Sequence, residues 1–404
     1  MRPLFKIGLP ITFFAFLAAS PHANGDGAAE KKSAPIRAKM QYFIDNGDIA
    51  GSVTVVGGKE GILSLDAIGS QNLDKKMPMP KDGLFRIASM TKPITAIGIM
   101  ILVEEGKLSI DDPVEKHLPE FRGQMMVAER GKDSVTLKKP ARAITLRDLL
   151  THTSGMPGPP EGLRDLYAKR TLSLAEGVMA FSQRPLDFEP GSKWAYCNPG
   201  IDTLGRIIEV ASGQSYESFL QKRVFAPLEM IDTTFYPTEK QLERLAATYD
   251  KKDGKLVPVV NPLIGLAKGI RYPIPAGGLY STGADLAKLY QLMLNSGKGK
   301  NARILSAESV KTMTQNHTGD LKAGFTPGMA WGLGWGIVKT PVGVTEMLSP
   351  GTFGHGGAFG TQAWIDPEKG LFMVLLIQRV GLPNSDGSNI RQDFQAAAVE
   401  AWKK

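Results

Sequence analysis

Strand-like runs stand at both ends of this chain, and a long helical stretch separates them. Near the N-terminus, residues 51–56 (GSVTVV) and 61–68 flank a Gly57-Gly58 turn. Near the C-terminus, residues 331–338, 353–357, 361–365 and 371–378 read as successive strands. The last is almost continuously apolar, as a central strand covered on both faces must be. Between about 110 and 325, helical segments such as 146–150 and 201–211 alternate with Pro/Gly loops. Every strand needs partners for its backbone N–H and C=O groups. The strands of the two ends are therefore expected to meet in one sheet, with the middle inserted as a second lobe. The fold class expected is α/β (α+β): an antiparallel sheet from both chain termini flanked by helices, with a mainly helical inserted lobe. A final amphipathic helix is expected from about Ile390 to Trp402. The expected division is a single domain over 36–404, with a sheet lobe at about 36–88 and 326–404 and a helical lobe at about 89–325.

Ahead of that domain, Arg2 and Lys6 precede an apolar run over residues 7–19 with no acid nearby. The run is shorter than the roughly 20 residues a bilayer span needs and matches the core of a secretory signal. Residues 1–23 are expected to be a signal peptide, cut somewhere between 19 and 29, and residues 24–35 a polar, mobile leader. A periplasmic or secreted location follows as the expectation, with no membrane span after cleavage. Cys197 is the one cysteine, so no internal disulfide can form. The net charge of +8 comes from dispersed Lys and Arg, which reads as solvated surface rather than a nucleic-acid footprint. Five histidines and one cysteine lack metal-ligand spacing, so neither metal nor cofactor is expected.

Three short motifs carry chemistry. In Ser89-Met90-Thr91-Lys92, an extended stretch (84–87) runs into a strongly apolar helix ending near Gly106, with Pro93 in its first turn, where a missing N–H is harmless. The i,i+3 spacing sets Ser89 and Lys92 on one face, about 5–6 Å apart at Cβ. A helix start also directs free N–H groups and the positive dipole end at the serine. Burial together with cationic or dipolar neighbours would lower the lysine's pKa enough for it to act as a base. The tetrapeptide alone fits a surface helix equally well. Tyr196-Cys197-Asn198 is the one Y-x-N among nine tyrosines and is bracketed by Pro190-Gly191 and Pro199-Gly200 turns. Its phenol would need a cation such as Lys92 to lower its pKa; alone, the triplet reads as a structural turn. In Gly354-His355-Gly356-Gly357-Ala358, glycines on a strand mark close approach of a ligand or another backbone. An edge strand there can supply an oxyanion donor.

These motifs, in this order, resemble the serine beta-lactamase-related hydrolases: class C beta-lactamases, D-alanyl-D-alanine peptidases of that fold and, closest, the esterases of beta-lactamase fold. The stretches 85–92 (FRIASMTK), 108–119 (LSIDDPVEKHLP), 149–155 (LLTHTSG) and 275–286 (PAGGLYSTGADL) are similar in style, and the resemblance spans roughly 36–400. It implies a beta-lactamase/transpeptidase-like fold and acylation at Ser89. It further implies Lys92 as proton acceptor, Tyr196 as base and acid, and an oxyanion hole from the amides of Ser89 and Ala358. Asn198, His355, Gly356 and Gly357 would line the substrate.

Where beta-lactamases carry Lys-Thr-Gly, this chain has His355-Gly356-Gly357. A lysine and a threonine there can hold a substrate carboxylate with charge-assisted hydrogen bonds of about 1.5–3 kcal/mol each. A neutral imidazole and a glycine cannot. The expectation is a carboxylesterase on small or medium uncharged esters with at most weak beta-lactamase activity. A D-amino-acid peptidase or DD-carboxypeptidase, or a beta-lactamase on cell-wall-related substrates, is the alternative, and a non-catalytic penicillin-binding sensor a remote one. The partner expected is a small-molecule ester or amide; oligomeric state is open. No G-x-S-x-G occurs, and His152 in Thr151-His152-Thr153-Ser154-Gly155 is read as structural. Thr282 and Asp285 read as a helix capping box.

Overall fold

The computed structural model of the chain describes residues 23–163, 165–260, 263–266 and 269–403, with side chains from Glu30 onward. Eight strands form one sheet, and both chain ends contribute. The N-terminal strands are β1 (Gly51–Gly58), β2 (Gly61–Asn72) and β3 (Met77–Pro78). The C-terminal ones are β4 (Met329–Trp331), β5 (Gly336–Val338), β6 (Phe353–Gly356), β7 (Gln362–Asp366) and β8 (Leu371–Leu376). Their order is β4-β5-β6-β7-β8-β1-β2-β3, every neighbour antiparallel. The seam between the two ends is β1 against β8, in register from Val53↔Leu376 to Gly58↔Leu371.

Sequence period explains why β8 sits at the centre. Successive side chains on a strand point to opposite faces. Phe372, Val374 and Leu376 enter the larger core, while Leu371, Met373 and Leu375 enter a second one. The second core is closed by α1 (Ala23–Asp45), through Ile36, Met40 and Phe43, and by α5 (Asn389–Ala401), through Ile390, Phe394 and Ala398. The larger core lies between the sheet and the helical lobe. It takes in α2 (Thr91–Glu104), α3 (Asn198–Ser212) and α4 (Gly283–Leu294), the last lying across β1 and β8. Gly57 on β1 makes room for Phe372: a Cβ there would stand 2.1 Å from the ring's Cζ.

Several sequence expectations are corrected. Residues 24–35 are not a loose leader but belong to α1, which binds back through the Arg37 pair with Asp66 (3.4 Å) on β2. The expected signal core over 7–19 lies outside the described residues. The single strand expected at 331–338 is a hairpin, β4 and β5, because Gly334 takes φ +79 and Gly332 N–H closes the turn onto Trp335 O at 2.8 Å. The capping box at Thr282 is half made. The threonine accepts from the Asp285 amide at 3.3 Å, but the Asp285 carboxylate turns to the Asp232 amide (2.7 Å) and the Thr233 hydroxyl (3.1 Å). Ser89 does not open the apolar helix directly; a 3-10 turn over Ala88–Met90 comes first.

Removing the ring that joins β8 to β1 tests the two-sided burial. Phe372→Ala is expected to cost about 3–5 kcal/mol, read as a lower Tm in thermal denaturation. A loss no larger than that of Ile62→Ala, at a side chain 45% exposed, would contradict it.

Candidate active site

The site is built where α2 begins. Ala88, just before Ser89, holds φ +45, a left-handed conformation that costs a non-glycine residue about 1–2 kcal/mol. The surroundings fix it: Ile87 N–H donates to Leu279 O (3.0 Å), and Ile87 O accepts from the Thr361 hydroxyl (3.3 Å). Past the bend Ser89 is half-buried, and Lys92, one turn on, is fully buried. Lys92 Nζ lies 2.9 Å from Ser89 Oγ and donates to Ala276 O at 2.6 Å. It also stands 4.6 Å from the centre of the Tyr196 ring, whose hydroxyl faces Ser89. Lys92, three residues along, and Tyr196, from a distant part of the chain, therefore converge on the Ser89 hydroxyl.

The electrostatic reasons differ from those expected. Burial pushes the Lys92 amine down to about 7, while the Asp202 carboxylate pulls it back up. Desolvation, not a cationic neighbour, makes it a potential base. The expectation that Lys92 lowers the phenol of Tyr196 is also corrected. Burial drives that pKa up, and the hydrogen bond with Ser89 is the opposing influence. Tyr196 is thus a neutral phenol near pH 7, able to donate and relay a proton but not to start as a phenolate. A neutral amine 2.9 Å from a hydroxyl can take its proton as the oxygen attacks a carbonyl.

The other predicted residues fall around this centre with different duties. Ala358 is exposed at the end of β6, and the glycine before it packs on the nucleophile's own loop: a Cβ on Gly357 would lie 2.5 Å from Ile87 O. Among the described residues no hydrogen bond occupies the amides of Ser89 or Ala358, which leaves both as donors for an oxyanion. Gly356, expected to line the substrate, also has a packing reason, since a Cβ there would meet Asp386 Oδ1 at 2.4 Å and Gln362 Nε2 at 2.5 Å. Asn198 opens α3, and its Oδ1 is buried without a partner among the described residues. His355 is buried with its ring 6.0 Å from that of Tyr196. Its Nδ1 lies 2.6 Å from Gly356 O, a group that can only accept, so Nδ1 carries the hydrogen. Among the described residues Nε2 is left as an acceptor with no partner, and burial takes the pKa down to about 3. Among the described residues no group of three or more His, Cys, Asp or Glu is placed to hold a metal.

His152 and Asp202 matter more than the sequence indicated. His152 O accepts from the Ala195 amide (2.9 Å) and its Nδ1 accepts from the Cys197 amide (3.2 Å), so the residue grips the chain on both sides of Tyr196. Its ring lies 4.5 Å from the tyrosine ring, and its backbone holds φ +58. The Thr-His-Thr-Ser-Gly context marked it; its link to Tyr196 is a contact across the fold that no local pattern encodes. Asp202 is fully buried on α3 and contacts the segment that carries Ala276.

Two outcomes follow from this geometry. The acid limb of kcat/KM should have its midpoint near pH 7, with activity falling at lower pH as Lys92 gains its proton; a limb absent down to pH 5 would contradict it. His152→Leu should lower kcat about tenfold to a hundredfold by freeing Tyr196. His152→Asn, which tolerates positive φ and keeps an acceptor for the Cys197 amide, should retain most of the rate.

The Beta-lactamase family model matches residues 36–398. Esterase EstB of Burkholderia gladioli is 29% identical over 364 residues, covering 81% of this chain and 86% of that protein. A putative D-alanyl-D-alanine carboxypeptidase of Escherichia coli K12 is also 29% identical, over 348 residues, covering 82% and 77%. The solved structure of EstCE1, described as a hydrolase with promiscuous acyltransferase activity, superposes with a TM-score of 0.76 at 24% identity over 92% of this chain and 99% of that one. With its sheet, its Ser89–Lys92–Tyr196 centre and this match over most of its length, the chain belongs to the Beta-lactamase family, as a serine hydrolase of that fold.

Proposed function

We propose that the chain is a carboxylesterase acting on small or medium-sized uncharged esters through an acyl-enzyme on Ser89. His355 carries this reading. It stands where a carboxylate-binding relative would place a lysine, and it offers a bare, neutral Nε2 instead. A substrate carboxylate would face a lone pair there, which repels it. The cation of the adjoining cavity is already matched: Arg391 faces Asp386 at 3.8 Å and lies 4.0 Å over the Trp364 ring. Phe325, packed 4.9 Å from the Tyr196 ring, adds an apolar wall to the same region. The similarity to Esterase EstB supports the same reading.

In this mechanism Ser89 Oγ attacks the ester carbonyl as Lys92 takes the hydroxyl proton, and the oxyanion is held by the Ser89 and Ala358 amides. Tyr196 passes a proton to the departing alkoxide and is replenished from the Lys92 ammonium. Water then attacks the acyl-enzyme, its proton returning by the same path, and Ser89 and the acid are released. Export by the apolar segment over 7–19 would place this activity outside the cytoplasm.

A panel of short-chain nitrophenyl esters, D-alanyl-D-alanine peptides and a cephalosporin, run on the wild type and on Ser89→Ala, tests the proposal. Esters should turn over fastest, and Ser89→Ala should lose about 10⁴-fold or more while keeping its fold. Efficient cephalosporin hydrolysis without ester turnover would overturn it, and preference for the peptides would favour a carboxypeptidase.

A further inference from the structure

Asp202 is a buried carboxylate with three donors and no ion pair among the described residues. Its Oδ2 accepts from the hydroxyls of Tyr167 and Tyr272, each at 2.8 Å, and its Oδ1 accepts from the Ala276 amide at 2.8 Å. The carbonyl of Ala276 is the group that takes the hydrogen bond from Lys92 Nζ. One residue therefore separates the carboxylate from the amine, with an N–H pointing at the anion and a C=O at the lysine. The segment cannot drift. Pro275 O accepts from the Thr95 hydroxyl (2.8 Å), and Gly205 is packed so closely that a Cβ would stand 2.3 Å from Pro275 Cγ.

Resting on the reading of Ser89 as nucleophile and Lys92 as its base, we propose that Asp202 is a positioning residue for that base. Its carboxylate fixes the Ala276 segment on which the amine hangs and supplies the buried negative charge that balances the ammonium. The groups facing Lys92 leave Asp202 alone in this charge role. His152 and His355 are held neutral by burial, the Cys197 thiol is pushed up to about 12, and the Tyr196 phenol is raised as well. Burial lifts Asp202 to about 6, opposed by its donors Tyr167, Ala276 and Tyr272, and then by Lys92, so it is ionised at neutral pH. Tyr216, which feels the same carboxylate, stays protonated. An isolated buried carboxylate would be costly; matched to an amine that gains and loses a proton, it becomes useful. Asp202 would thus keep Lys92 from falling so low that it could no longer accept the serine proton.

The test is the pH dependence of fluorophosphonate labelling at Ser89 in the full chain, which needs no knowledge of the substrate. Removing the anion disfavours the ammonium, so in Asp202→Asn the labelling midpoint should move to lower pH by about one unit. Asp202→Glu keeps the charge while displacing the carboxylate. It should label more slowly with an unmoved midpoint, separating the charge from mere packing. Asp202→Ser, short enough to admit water to the two phenols, serves if the asparagine variant does not accumulate. An unmoved or raised midpoint in the neutral variants overturns the proposal, as does failure of both to fold, which would make Asp202 a residue of the fold alone. A wild type that does not label removes the Ser89 reading and this proposal with it; a labelled wild type with unmoved variants removes this proposal alone.

Discussion

A primary amine taken wholly out of water beside a serine hydroxyl is the interaction on which the rest of this structure depends. Burial of Lys92 is what brings its pKa near neutrality, and burial there requires apolar cover on every side. That explains why α2 is buried along nearly all its length, from Thr91 to Leu102. An amphipathic helix would leave one flank wet, and a lysine on it would stay protonated. The two-cored sheet serves the same end. With β8 feeding alternate side chains into two cores, the platform beside β6 is rigid enough to hold Gly357 against the nucleophile's loop.

Backbone geometry does the remaining work around Ser89. Ala88 and His152 both hold left-handed conformations, and each borders a member of the catalytic group. The cost is small beside the packing that enforces it: Gly357 against Ile87 O on one side, and the Ala195 and Cys197 amides bound to His152 on the other. Misplacing a reacting group by even 1 Å can lower a rate by about 10². Strain at these two residues is how the fold keeps three separate chain segments in register.

Much of this was legible in the sequence because the signals are local. Alternation and apolar runs marked β1, β2 and β6 to β8, and the Ser-x-x-Lys, Tyr-x-Asn and glycine-flanked His355 motifs marked the segments that meet at the site. What escaped was non-local. The 331–338 run looked like one strand because its apolar residues mask a turn at Gly334, where a Cβ would stand 2.6 Å from Ala96 of α2. The polar start of α1 looked mobile because its ordering comes from the sheet face it reaches further on. Asp202 lies six residues past Tyr196 with nothing in its neighbourhood to single it out; its partners Tyr167, Tyr272 and Ala276 come from other parts of the chain. The direction of the Tyr196 shift was missed for the same reason, since motif spacing reports which groups are near but not how much water reaches them.

The most direct measurement of the central claim is the titration of Lys92 itself, by NMR of protein carrying ¹³C at the lysine side chains, with Lys92→Met to assign the resonance. An amine desolvated beside Ser89 should titrate near pH 7. A Lys92 resonance that titrates with the exposed lysines, near the ordinary value of about 10.4, would contradict it.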